Sequence, residues 1–125
     1  MKLRTRGDTL RLRLTRTEVA ALEGGATIAE CTRFPDGNSL RYALVPGSRR
    51  HAELAAGEGG LEILIHVPHA EAQAWAGSDE VGFSGREPFT VGPLQVLIEK
   101  DFTCITPREG EEETDTYPNP NAVDA

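Results

Sequence analysis

The stretch Leu10-Arg11-Leu12-Arg13-Leu14-Thr15-Arg16-Thr17-Glu18-Val19-Ala20-Ala21-Leu22-Glu23-Gly24-Gly25 changes its hydrophobic period halfway along. Up to Leu14, leucine alternates with arginine, so the leucines share one face of a strand and Arg11 and Arg13 share the other. From Thr15 the pattern is helical. Thr15 and Glu18 have capping-box spacing, in which the hydroxyl accepts from the N3 amide and the carboxylate turns back to the cap amide. Val19 and Leu22 fall on one side of a short helix running to about Glu23, and Gly24-Gly25 stops it. A helix this short is not stable alone, so it must lie against sheet surface.

Outward from this stretch the signals are those of strands and turns. Upstream, Gly7-Asp8 interrupts the segment Lys2 to Leu14 and predicts a tight hairpin. Downstream, a strand over Thr27 to Phe34 meets the turn Pro35-Asp36-Gly37-Asn38. Ser39 to Val45 returns with Leu40, Tyr42 and Leu44 on one face. A weaker strand is expected from His51 to Ala56, followed by the turn Gly57-Glu58-Gly59-Gly60.

The order then recurs. Leu61, Ile63, Ile65 and Val67 alternate, and Pro68 suits the first turn of a helix. Glu71, Ala72, Trp75 and Gly77 follow Glu18, Val19, Leu22 and Gly24 at an offset of 53 residues, as Val81 follows Ile28. One residue later, Leu94 to Ile98 follows Leu40 to Leu44. The resulting reading is α+β: a duplicated strand-helix-strand-strand unit forming a curved antiparallel sheet or a wide barrel with two short helices. Residues 1–108 form a single domain with halves at about 1–50 and 51–108, and Trp75, matched to Leu22, belongs to the core. Residues 109–125 read as a solvated acidic tail containing Pro and Asn.

Charge sharpens this picture. The 125 residues carry a net charge of −7, but residues 1–50 hold ten Lys/Arg against five Asp/Glu, and residues 100–125 hold two against seven. An acidic chain is not built for nucleic acid, and only a local basic face could bind a polyanion. The first residues lack the apolar core of a secretory signal, and no run approaches the roughly 18 apolar residues of a membrane span. A cytoplasmic protein is expected, without membrane attachment and with Cys31 and Cys104 as reduced thiols buried as small hydrophobes.

Several segments resemble a family of small bacterial proteins of unknown function. They are Met1-Lys2-Leu3-Arg4, Leu10-Arg11-Leu12-Arg13-Leu14, Leu40-Arg41-Tyr42-Ala43-Leu44, Glu99-Lys100-Asp101-Phe102-Thr103-Cys104, and Pro107-Arg108 to Tyr117-Pro118-Asn119-Pro120. The resemblance implies a bacterial source and covers nearly the whole chain, without implying an activity. In topology alone, the duplicated unit is also similar to the triphosphate tunnel superfamily. That resemblance implies Arg and Lys inside a barrel for triphosphate, and Glu residues for a divalent metal. The family's alternating Glu-x-Glu-x-Lys is replaced here by Lys2-Leu3-Arg4-Thr5-Arg6, so its acidic members are missing.

Arginine on strands is the main candidate for binding. Arg11 and Arg13 project together, and Arg4, Arg6 and Arg41 have strand spacing that lets them join. Guanidinium forks suit phosphate or carboxylate. The plainer reading is a solvated face paired with Glu30, Glu62 and Glu99. No metal site is expected: His66 and His69 straddle a strand end and a helix start, and the acidic tail lacks the spacing of a calcium loop. No phosphate loop, dinucleotide fingerprint or nucleophile elbow appears, so no cofactor is expected. The leading expectation is a non-catalytic binding protein whose Arg4, Arg11, Arg13 and Arg41 meet a small anion or an acidic protein partner. The second is a metal-dependent phosphohydrolase of tunnel type. An enclosed polar lumen would favour the enzyme, and an open face the binding protein.

Overall fold

Gly7 takes a φ of 56° and turns β1 (Lys2–Arg6) back as β2 (Thr9–Leu14). The computed structural model describes residues 1–101. Cys104, Tyr117 and the acidic tail lie outside the described residues. At the end of β2 the capping box forms: the Glu18 amide donates to Thr15 Oγ1 at 3.2 Å, and the Thr15 amide donates to Glu18 Oε1 at 2.9 Å. Helix α1 (Arg16–Glu23) follows, with Val19 and Leu22 buried. The chain continues through β3 (Ile28–Arg33), β4 (Ser39–Gly47), β5 (His51–Gly57), β6 (Gly60–Pro68), α2 (His69–Ala76), β7 (Phe89–Val91) and β8 (Leu94–Lys100).

The α+β class with two short helices is what the structure has. The strands divide into two four-stranded mixed sheets, ordered β1-β2-β8-β7 and β3-β4-β6-β5. Each sheet joins a hairpin of the first half to a hairpin of the second through a central parallel pair, β2 with β8 or β4 with β6. The outer pairs are antiparallel. Replacing each strand by its counterpart in the other half converts one order into the other.

The two sheets do not close into a barrel. β5 and β7 lie side by side, but no ladder joins them. Between them the Arg50 guanidinium donates to Glu87 O at 2.9 Å and lies 4.0 Å over the Phe89 ring. β7 has only three residues because the chain before it is bent. A 3-10 turn occupies Phe83–Arg86, with Ser84 and Gly85 at positive φ. Val81, the expected counterpart of Ile28, therefore lies outside a strand, next to a single bridge between Gly82 and Glu99.

One core serves both sheets and both helices. Leu12 and Leu14 of β2, Leu44 of β4, Ile65 and Val67 of β6, and Val96 and Ile98 of β8 are almost wholly buried with Leu22 and Trp75. Trp75 meets Phe83 edge-on at 5.4 Å, and Phe83 reaches Phe89 at 6.0 Å. The helices lie against each other, and His69 Nε2, 2.7 Å from Glu23 O, donates across that contact.

The β4–β6 ladder depends on glycine at its start. Gly60 faces Ser39 in register, has a φ of 124°, and would place a Cβ 2.0 Å from Ser39 O. At Gly59 a Cβ would meet nothing within 4 Å. Gly60→Ala should therefore lower the unfolding free energy by about 3 kcal/mol, while Gly59→Ala changes it by less than about 1 kcal/mol. Urea unfolding of the two variants checks this; equal, small losses would show that the ladder accommodates a side chain there.

Candidate anion-binding face

Alternation along β1 and β2 sends leucine to the core and sends Lys2, Arg4, Arg6, Arg11 and Arg13 to the opposite side of the sheet. The hairpin register sets these cations directly against one another: Lys2 pairs with Arg13, and Arg4 with Arg11. Like charges in directly opposed positions repel. β8 brings counter-charge from the other side of β2. Glu99 is aligned with Arg13, is only 6% exposed, and lies 3.6 Å from both Arg11 Nη1 and Arg13 Nε. Asp101, 3% exposed, lies 3.2 Å from Lys2 Nζ. That contact lacks hydrogen-bond geometry, and Asp101 Oδ2 has no hydrogen-bond partner among the described residues.

Among the described residues two carboxylates, Glu99 and Asp101, thus approach this group of five cations. The side chains of Arg4 and Arg6 make no ion pair or hydrogen bond among the described residues. With Arg11, Thr5 and Thr9 they line a recess of about 450 Å³ beside the hairpin. A second recess of about 510 Å³ lies between the sheets, with Lys2, Arg4 and Arg13 on one side and Thr32 and Tyr42 on the other. Burial, then Glu30 and Glu18, pushes the Tyr42 phenol above its ordinary pKa. The face can neutralise and hydrogen-bond an anion. Its oxygen donors for a metal, Glu99 and Asp101, are already committed to cations.

Arg41 does not join this group. It stands on β4 of the other sheet, directly opposite Glu62, and the two form an ion pair. For Arg41 the plainer reading from sequence therefore holds, whereas Arg4, Arg11 and Arg13 do come together. Glu30 is aligned with Tyr42 and not with an arginine. Cys31 is exposed and free, contrary to the expected buried thiol, because it sits on the outer side of β3 beside Arg41. His66 and His69 diverge: His66 and His51 stack and approach Glu53, at 3.2 and 3.7 Å, whereas His69 reaches α1. Among the described residues no group of three or more His, Cys, Asp or Glu is arranged to hold a metal. Lys2 and Asp101 are the members that sequence reasoning missed. The alternation Gln95, Leu97, Glu99, Asp101 places that carboxylate on the arginine side.

The family of unknown function DUF7009 matches residues 1–121, and the chain belongs to that family. No curated protein and no solved structure matches the chain. The likeness to tunnel barrels is not shown, since the sheets stay open. Among the described residues no helix is long and apolar enough to cross a membrane.

Glu99 and Glu62 offer a contrast between a buried and an exposed acid in similar strand positions. Glu99→Ala leaves Arg13, with a side chain only 14% exposed, short of its carboxylate. The loss should be about 2 kcal/mol of stability. Removing Glu62, which is 34% exposed, should cost less than about 1 kcal/mol. Chemical denaturation of the two variants measures both; equal effects would mean that Glu99 is not what holds the arginines.

Proposed function

We propose that this protein is a non-catalytic binding protein whose β1–β2 face takes up an anion or an acidic partner. The observation that carries the reading is the register of the hairpin, which sets Arg4 against Arg11 and leaves Arg4 and Arg6 without side-chain partners among the described residues. A protein surface gains nothing in stability from opposed arginines, but it gains a preformed site for phosphate or carboxylate oxygens. The hydroxyl of Thr9, on the arginine side of the hairpin, adds a donor at the same recess. Charge supports the same reading: a local excess of cations on an otherwise acidic chain steers anions to one place.

The phosphohydrolase alternative has less behind it. It needs carboxylates free to hold a metal inside a closed barrel, whereas Glu99 and Asp101 pair with Arg11, Arg13 and Lys2 and the sheets are open. The matching order of the two halves supports descent from a duplicated unit, in which, among the described residues, only strands of the first half carry arginine. A bacterial cytoplasm, where an exposed thiol such as Cys31 stays reduced, completes the reading.

Titration of the protein with inorganic triphosphate at low and high salt tests the reading. Saturable binding is expected, weakening as salt rises. Arg4→Gln combined with Arg11→Gln should reduce affinity at least tenfold, roughly 1.4 kcal/mol or more. Arg41→Gln should change it by less than about threefold. Equal weakening by both sets would mean that general charge, and not this face, attracts the ligand.

A further inference from the structure

Among the described residues the large apolar side chains left exposed are Phe34, Leu54 and Leu61, all on the strands or turns of the sheet β3-β4-β6-β5. Leu54 and Leu61 share the parity of buried Ala52, Ile63 and Ile65, so they turn toward the core side. Yet Leu54 is 48% and Leu61 46% exposed, and Ala55, Ala56 and Gly57 are exposed beside them. β5 is also an edge of its sheet. The other edges carry the usual protection against pairing with another chain. β1 presents Lys2, Arg4 and Arg6, β3 has Glu30 and Arg33, and β7 has three residues and follows Pro88. The second half of β5, Leu54-Ala55-Ala56-Gly57, has neither charge nor proline.

The backbone shows which groups line this edge. The Ser39 amide donates to Gly59 O at 2.8 Å, while Ser39 is aligned with Gly60. In a parallel ladder a residue bonds to the neighbours of its aligned partner, so Gly60 turns its own N–H and C=O toward β5. Gly57 and Gly60 are then a bonded pair across the two-residue turn Glu58-Gly59. Alternation aims the backbone groups of His51, Glu53 and Ala55 at β6, and leaves those of Ala52, Leu54 and Ala56 on the outer edge. We infer that this edge pairs with the same edge of a second copy, antiparallel about a two-fold axis at Leu54, so that two four-stranded sheets join into one. Such an axis overlaps all seven residues of β5, and opposes Leu54 to Leu54 and Ala52 to Ala56. It sets Glu53 opposite Ala55, whereas an axis at Glu53 would oppose that carboxylate to itself. It also carries position 58 of each copy against position 50 of the other. Glu58, which has no ion pair among the described residues, thereby meets the Arg49-Arg50 end of β5, where the Arg49 side chain is 63% exposed. The contact consumes both open edges and closes at two copies. It does not use the β1–β2 hairpin, which belongs to the other sheet, so dimerisation and anion binding stand or fall separately.

The test uses the full chain. Sedimentation equilibrium over a range of concentrations reads the mass, and amide exchange followed by NMR reads the edge. A concentration-dependent dimer is expected. As concentration rises, the Leu54 and Ala56 amides should gain protection of about tenfold or more, whereas those of Glu53 and Ala55, bonded to β6, are protected throughout. Leu54→Lys places two ammonium groups on the axis and should weaken dimerisation about a hundredfold. Glu58→Arg, in the exposed turn, should weaken it about tenfold at low salt, with the gap closing as salt rises. A monomer at every concentration overturns the inference, as does a Leu54→Lys chain that dimerises like the unaltered one. A dimer whose Leu54 and Ala56 amides exchange as fast as in the monomer assigns assembly to another surface and overturns it too. If Leu54→Lys does not fold, Glu58→Arg decides: an unchanged dimer overturns the pairing, and a weakened one supports it.

Discussion

Two parallel ladders, β2 against β8 and β4 against β6, hold the fold together. Each ladder joins a hairpin of one half to a hairpin of the other. A two-stranded hairpin is marginal in water, and neither half alone supplies more than two of them. The pairing also decides what the core is. It lines up Leu12 and Leu14 with Ile98 and Lys100, and Tyr42 and Leu44 with Ile63 and Ile65, so the apolar faces of both halves become one buried surface under α1 and α2. The demand for close approach at Gly60 follows from the same pairing, since β6 must start against the backbone of Ser39.

The same constraint builds the site. Once β2 is committed to β8, its polar side has a fixed neighbour on each flank, with Glu99 on one and β1 on the other. Counter-charge reaches Arg11 and Arg13 from the β8 side, while the β1 side brings more cations. The imbalance is therefore a property of the hairpin register. Arg41 shows the other outcome. It occupies a similar outward position beside a parallel ladder, but there the aligned residue is Glu62, and the charge is cancelled locally.

Much of this was legible in the sequence because it is local. The period-two leucines, the Thr15–Glu18 capping box and the Gly7-Asp8 turn follow from neighbours within a few positions, and the burial of Trp75 from its match to Leu22 in the recurring pattern. What was not legible depends on long-range partners. No local signal tells β2 to pair with β8 and not with β3, so the division into two mixed sheets, and the failure to close a barrel, lay outside a reading by period. The short β7 has the same origin: offset to Ile28 suggested a strand at Val81, but Ser84, Gly85 and the packing of Phe83 against Trp75 bend the chain there. In the site, Arg4, Arg11 and Arg13 were recognisable by alternation, whereas the separation of Arg41 and the exposure of Cys31 required knowing which sheet each joined.

The central claim is that Arg4 and Arg11 are held in opposition without enough protein counter-charge, a sacrifice of stability that makes sense for a binding surface. The most direct measurement is the unfolding free energy of the Arg4→Thr variant at low and at high ionic strength, compared with the unaltered protein. The account predicts that removing the charge stabilises the fold at low salt, by about 0.5 kcal/mol, and that the gain disappears at high salt as screening replaces it. A variant that is less stable than the parent at both ionic strengths would contradict the account, because it would show that Arg4 is already satisfied within the folded chain.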